Sequence, residues 1–193
     1  MRWFRKEETQ TDRLVLRRFE AGDLDDLMVF AGDPQVGPLA GSAPVTNKTA
    51  GEDLLRKLCR DENQLAIVRR EDGRVMGKIL FQRDPHRLNN PQSLSLGYEL
   101  ARDCWGHGYM TEAVRAALDI AFRRRQADMV GVSHFVGNDR SRRVIEKCGF
   151  TYEGRVRRSY RRYDGRFFDE EAYSITREEF FSRQGNTLVR EDL

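Results

Sequence analysis

The stretch from Leu96 to Ala113 constrains this chain more than any other. A short apolar strand pattern gives way to the turn Trp105-Gly106-His107-Gly108, which opens with no linker into a helical pattern. Gly106 and Gly108 permit backbone angles closed to other residues, so successive amide N–H groups can converge on one anion beside the positive end of the helix dipole. A pyrophosphate is the anion such a cradle suits. Glycine also serves tight strand-to-helix turns for steric reasons alone, so the turn by itself is a weak signal. A second element strengthens it: thirty residues beyond Gly108, Asn138-Asp139-Arg140-Ser141 leaves another strand pattern for a short helix that Gly149-Phe150 ends.

These two segments, in this order and at this separation, resemble the Gcn5-related N-acetyltransferase (GNAT) superfamily. The form Trp105-Gly106-x-Gly108-Tyr109-x-Thr111-Glu112-Ala113 is similar to its RimJ/RimL-type branch, and the resemblance runs from a first strand at Thr11 to Phe19 to a last one at Asp169 to Ile175. It implies an α/β fold: one domain over residues 11–178, with a mostly antiparallel mixed sheet, splayed middle strands and flanking helices. Residues 1–10 would be an N-terminal extension and 179–193 a C-terminal tail. The implied activity is transfer of acetyl from acetyl-CoA to a primary amine by direct attack in a ternary complex. The acceptor would be a protein N-terminus or a small amine. A non-catalytic acyl-CoA-binding or sensor module is the alternative.

Composition agrees with one domain, since 193 residues with 39% hydrophobic and 34% charged can bury a sizeable core. The opening Met1-Arg2-Trp3-Phe4-Arg5-Lys6 lacks the apolar run of a signal peptide, and no stretch is long enough to span a bilayer, so a cytoplasmic protein is expected. Cys59, Cys104 and Cys148 are odd in number and widely spaced, which suits reduced structural thiols and no metal. Residues 122–166 carry twelve arginines and one lysine against five acids. Arginine makes up 29 of the 34 basic residues of the whole chain, and no aromatic interleaving of the kind that stacks bases accompanies the cluster, so nucleic acid is not expected as a partner.

Periodicity places strands at Leu14 to Phe19, Gln64 to Arg70, Val75 to Asp84, Leu94 to Leu100 and Met129 to Val136. Helices fall at Ala21 to Phe30, Thr49 to Arg60, Thr111 to Arg124 and Ser141 to Lys147, and a final hairpin turns near Asp164-Gly165. Loops occupy Asp33 to Lys48 and Asp84 to Gln92. In the late hairpin, Tyr160, Tyr163, Phe167, Phe168 and Tyr173 suggest a homodimer surface, or else an ordinary core face for alternate residues.

The resemblance further implies that the strands at 94–100 and 129–136 splay apart to take the pantetheine arm, which bonds backbone groups of Tyr98 and Leu100. Amides of Gly106, His107, Gly108, Tyr109, Met110 and Thr111 would hold the pyrophosphate, with Thr111 as helix cap. Asn138 would bridge to the pantetheine. Glu99 is the candidate general base, or an anchor for a cationic acceptor. Ser141 either protonates the leaving thiolate or bonds the pantetheine. Many members place a tyrosine acid where this chain has Ile145, so a tyrosine acid there is excluded. Gly97 kinks the strand or serves close packing. His86 is expected at the acceptor pocket, and His134 as a packed strand residue.

Overall fold

The computed structural model describes residues 8–188; residues 1–7 of the expected N-terminal extension and 189–193 of the expected tail lie outside them. β1 (Thr9–Gln10) is a short edge on β2 (Leu14–Arg18), whose alternate residues Leu14 and Leu16 are wholly buried. A 3-10 turn, Ala21–Asp23, leads into α1 (Leu24–Ala31). The buried Asp23 carboxylate accepts the Glu20 amide and both ends of the Arg17 guanidinium, each at 2.8 Å, which repays its desolvation. α2 (Lys48–Arg60) starts where Asn47 Oδ1 accepts the Ala50 N–H at 2.9 Å. β3 (Gln64–Arg69) and β4 (Val75–Arg83) make the expected hairpin, and β5 (Ser93–Leu100) continues it.

α3 (Tyr109–Asp119) runs on through a π-helical turn at Ile120–Arg124, followed by β6 (Met129–Phe135), α4 (Asp139–Lys147), β7 (Thr151–Arg161), β8 (Phe167–Thr176) and α5 (Arg177–Leu188). The expected domain boundary at residue 178 falls inside α5. Phe180 of that helix is buried against Phe122, ring centroids 4.8 Å apart.

The eight strands form one mixed sheet in the order β1-β2-β3-β4-β5-β6-β8-β7, antiparallel throughout except between β5 and β6. That parallel pair is short. It runs from Ser93 opposite Met129 to Leu96 opposite Val132 and then stops, while β5 continues to Leu100 and β6 to Phe135. The sheet therefore forks at its centre. Gly97 marks the fork, yet the β4–β5 ladder passes through it with no register shift and a methyl there would meet Leu80 only at 3.8 Å, so neither a bulge nor tight packing requires this glycine. Gly77 is different: a Cβ at that position would lie 2.1 Å from the Glu99 carbonyl, so β4 can approach the fork strand only with glycine there.

Candidate active site

The peptide groups at the fork have a fixed orientation. The Ala101 amide donates to Met76 O at 2.7 Å, so alternate residues of β5 bond β4, and Tyr98 and Leu100 turn theirs toward the gap. The Leu100 carbonyl already accepts the Trp105 indole N–H at 2.8 Å, which ties the end of β5 to the glycine turn and leaves the Leu100 N–H facing the gap. Sequence reasoning assigned Trp105 no role of its own.

Beyond Trp105, Gly106 and Gly108 take φ of 83° and 81°, left-handed values that other residues enter only with strain. Gly108 is the N-cap of α3, and Thr111 lies inside the helix, so Thr111 does not cap it as the sequence suggested. The left-handed glycine lets the helix begin two residues earlier. Glu112 N–H is the first amide to find a helical acceptor, Gly108 O at 3.1 Å. Among the described residues the amides of Gly106 to Thr111 have no backbone acceptor, as the start of a helix requires. Met110 is buried in the core and Tyr109 packs against it.

The turn is held from the connection between β1 and β2. Glu112 accepts from Thr11 Oγ1 at 2.5 Å, the Arg13 amide at 3.0 Å and Arg13 Nε at 2.7 Å, while Arg13 Nη1 donates to His107 O at 3.0 Å. Burial pushes the Glu112 carboxyl up, but these donors outweigh it and hold it below the usual range.

Adjacent residues of β5 face opposite sides of the sheet. Tyr98 points to α4, its hydroxyl 2.7 Å from Ser141 Oγ; burial pushes the phenol well above its ordinary value, against the opposing bond from Ser141. Glu99 points to the α1–α2 connection, where its buried carboxylate accepts Ser42 Oγ at 2.7 Å and lies 3.4 Å from Lys78 Nζ, both on Oε1. The register carries these sides across the fork: Ser133 and Phe135 share the face of Glu99, and so does Glu170, which opposes Phe135 on β8. Glu170 accepts Ser133 Oγ at 2.5 Å and Ser159 Oγ at 2.8 Å, and has no cationic partner among the described residues.

Asn138 caps α4 by accepting Ser141 N–H at 3.2 Å, and its Nδ2 donates to Leu39 O at 3.4 Å. Ile145 is wholly buried in the core. His134 is packed as expected, though with one ring nitrogen unpaired, and the exposed His86 lines the same cleft as Glu99. Cys104 and Cys148 are buried free thiols, and burial pushes Cys148 up to about 11, so neither is set up as a nucleophile.

A cleft of about 570 Å³ joins all of this. It passes through the fork, with the glycine turn and Arg140, Arg143 and Lys147 of α4 lining one side and Glu99 and Glu170 the other. Arg140 stacks on the Trp105 ring, 4.8 Å from its centroid. Among the described residues no group of three His, Cys, Asp or Glu is arranged to hold a metal ion, and no helix is long and apolar enough to cross a membrane.

Residues 13–151 match the family model of the acetyltransferase (GNAT) domain, most of the chain. The chain belongs to the GNAT acetyltransferase family. Its chemistry is acetyl-CoA-dependent acetyl transfer. It is similar to an uncharacterised N-acetyltransferase, p20, of Bacillus licheniformis, with 26% identity over 90% of this chain and 98% of the relative. The fold matches a GNAT-family acetyltransferase from Bacillus anthracis at a TM-score of 0.79 and 21% identity, covering 89% of this chain and 99% of that one. It also matches the ribosomal-protein-S5-alanine acetyltransferase of Vibrio fischeri at 0.70 and 17% identity, covering 90% and 98%. In this acetyltransferase the cleft runs through the fork of the sheet, where β5 and β6 cease to pair.

Proposed function

We propose that the acetyltransferase modifies a primary amine that arrives as a cation, a protein N-terminus in the manner of RimJ/RimL-type enzymes, with a small-molecule amine as the second acceptor class. The observation that carries this reading is the polarity of the cleft: basic groups and unpaired amides on the α4 side of the fork, carboxylates on the other. Acetyl-CoA would lay its phosphates on the amides of Gly106, His107, Gly108, Tyr109, Met110 and Thr111, and its pantetheine along the gap-facing groups of Tyr98 and Leu100. Asn138, already bonded through both side-chain ends, and Ser141 line that path. A backbone N–H at the fork would face the thioester oxygen as it becomes an oxyanion, and such a preorganised donor contributes about 10²–10³ in rate.

The acceptor enters from the other face, where Glu99 and Glu170 attract an ammonium group. With Ser42 and Lys78 both against Oε1, Glu99 takes the first proton from the ammonium directly or through a water. An α-amino group, with a reference pKa near 8, needs less help than a lysine amine near 10.4, which favours an N-terminal acceptor.

Release of free CoA thiol from acetyl-CoA, followed with N-terminal peptides beside polyamines and amino acids, tests the assignment. Turnover with peptides above the rest supports it. Turnover confined to small amines selects the second class, and binding of acetyl-CoA with no turnover on any acceptor removes the acceptor assignment altogether.

A further inference from the structure

Forming an amide from an ammonium releases two protons. The first must leave before nitrogen can attack, and the second leaves after the N–C bond has formed. Glu99 on the acceptor face can take one. The other is needed on the departing sulfur, and the helix position where many relatives carry a tyrosine acid is filled by the wholly buried Ile145.

His134 lies two residues past the last β5–β6 pair, on the forked part of β6. Leu96 opposes Val132, so alternation puts His134 on the same face as Tyr98, the α4 face, beside the gap. Its ring stacks on Tyr173 at 5.6 Å between centroids, and Nδ1 lies 2.9 Å from Phe135 O. A carbonyl can only accept, so Nδ1 carries the hydrogen and Nε2 presents its lone pair. The residue is 6% exposed and belongs to the wall of the cleft, and Nε2, itself buried from solvent, has no hydrogen-bond partner. An unpaired buried acceptor is costly to retain, and in the wall of a cleft it points to a ligand proton. The charged and titratable groups around it are otherwise engaged. Glu171, its register partner on β8, accepts from Tyr152 and Arg155, Tyr98 is bonded to Ser141, and Arg142 and Glu146 of α4 pair with each other beyond Tyr173.

We propose that His134 Nε2 carries the second proton of the transfer. The neutral amine attacks the thioester carbon, Nε2 takes the proton from the nitrogen that has become cationic, the C–S bond breaks, and the same proton passes to the thiolate. Amide and CoA thiol leave, and the imidazole returns to its starting tautomer. The proposal rests on the acetyl-transfer reading above.

The test combines kinetics, calorimetry and NMR. His134→Gln keeps a hydrogen-bonding side chain that cannot carry a proton, so turnover should fall about 10²–10⁴-fold with acetyl-CoA affinity, read by calorimetry, within about twofold of wild type. In His134→Ala, added imidazole should restore part of the lost turnover. In the wild-type protein the ¹⁵N resonance of His134 Nε2 should move when acetyl-CoA is added, a readout independent of turnover and of whether either variant folds. Wild-type turnover in His134→Gln, a defect confined to acetyl-CoA affinity, or an Nε2 resonance blind to acetyl-CoA would each overturn the proposal. Absence of turnover by the wild type on every amine would instead count against the acetyl-transfer reading.

Discussion

Glu99 shows how a residue's chemistry depends on what touches it. Glu99 was singled out in the sequence because the family resemblance implies a thioester along its strand. Its partners were not. Lys78 and Ser42 come from another strand and from a loop, and only the β4–β5 register and the course of the α1–α2 connection bring them to Oε1. Glu170 was missed for the same reason: in the run Asp169-Glu170-Glu171 nothing local says which acid faces the cleft. Replacing Glu99 by Gln removes basicity at constant size, so turnover should drop about 10²–10⁴-fold with acetyl-CoA affinity preserved, and less at high pH, where the amine deprotonates unaided. Should the change appear only as a raised KM, Glu99 is an anchor for the cation and not its base.

At the level of elements, the glycine turn is held in place because the β1–β2 connection is stapled to α3 through Thr11, Arg13 and Glu112. Gly108→Val forces a β-branched side chain into a left-handed position at the mouth of the cradle. Thermal melts should then show no stabilisation by acetyl-CoA, and a normal shift in the variant would place the phosphates elsewhere. The staple itself has a pH signature. Glu112 titrates below the usual carboxylate range when folded, so its contribution is present above the unfolded value near 4.3 and is lost as pH falls through the lower folded one. Glu112→Gln should therefore cost about 1–2 kcal/mol at pH 7. In denaturant titrations at several pH values the gap between wild type and variant should close below about pH 4; a gap that stays constant to pH 3 would mean the carboxylate's charge contributes nothing.

For the whole molecule, a ligand that binds only the folded state at a hundred times its Kd adds about 2.7 kcal/mol, roughly 5–11 °C in the melt of a domain this size. Acetyl-CoA should give a shift of that order. The late hairpin bears on assembly. Of its five aromatic residues, Tyr160 and Phe168 pack on Phe135 and Tyr173 is buried, so only Tyr163 and Phe167 remain half exposed, joined on the outer strand by Tyr152 and Val156. The arginines of β7 and its two register shifts blunt that edge against open-ended pairing. A homodimer built on these side chains should sediment at micromolar concentration as twice 22.5 kDa; a 22.5 kDa species alone would dispose of it.

Local physics made the order of most elements and the glycine turn readable in the chain, because glycine's backbone freedom and apolar periodicity act over a few neighbours. The π-helical turn after α3 and the whole of α5, expected to be a tail, were not legible, since a change of helical pitch and a helix docked through Phe180 depend on packing against distant partners. The fork was implied by family resemblance, but its position, after Leu96 and Val132, is set by pairing between strands more than thirty residues apart. Only tertiary structure decided that Glu99 and Glu170 share one face, that Tyr98 meets Ser141 on the other, and that His134, in the wall of the cleft, keeps a buried unpaired nitrogen. Each of these is a relation across the sheet, and a linear pattern of period two cannot say which strand will lie alongside.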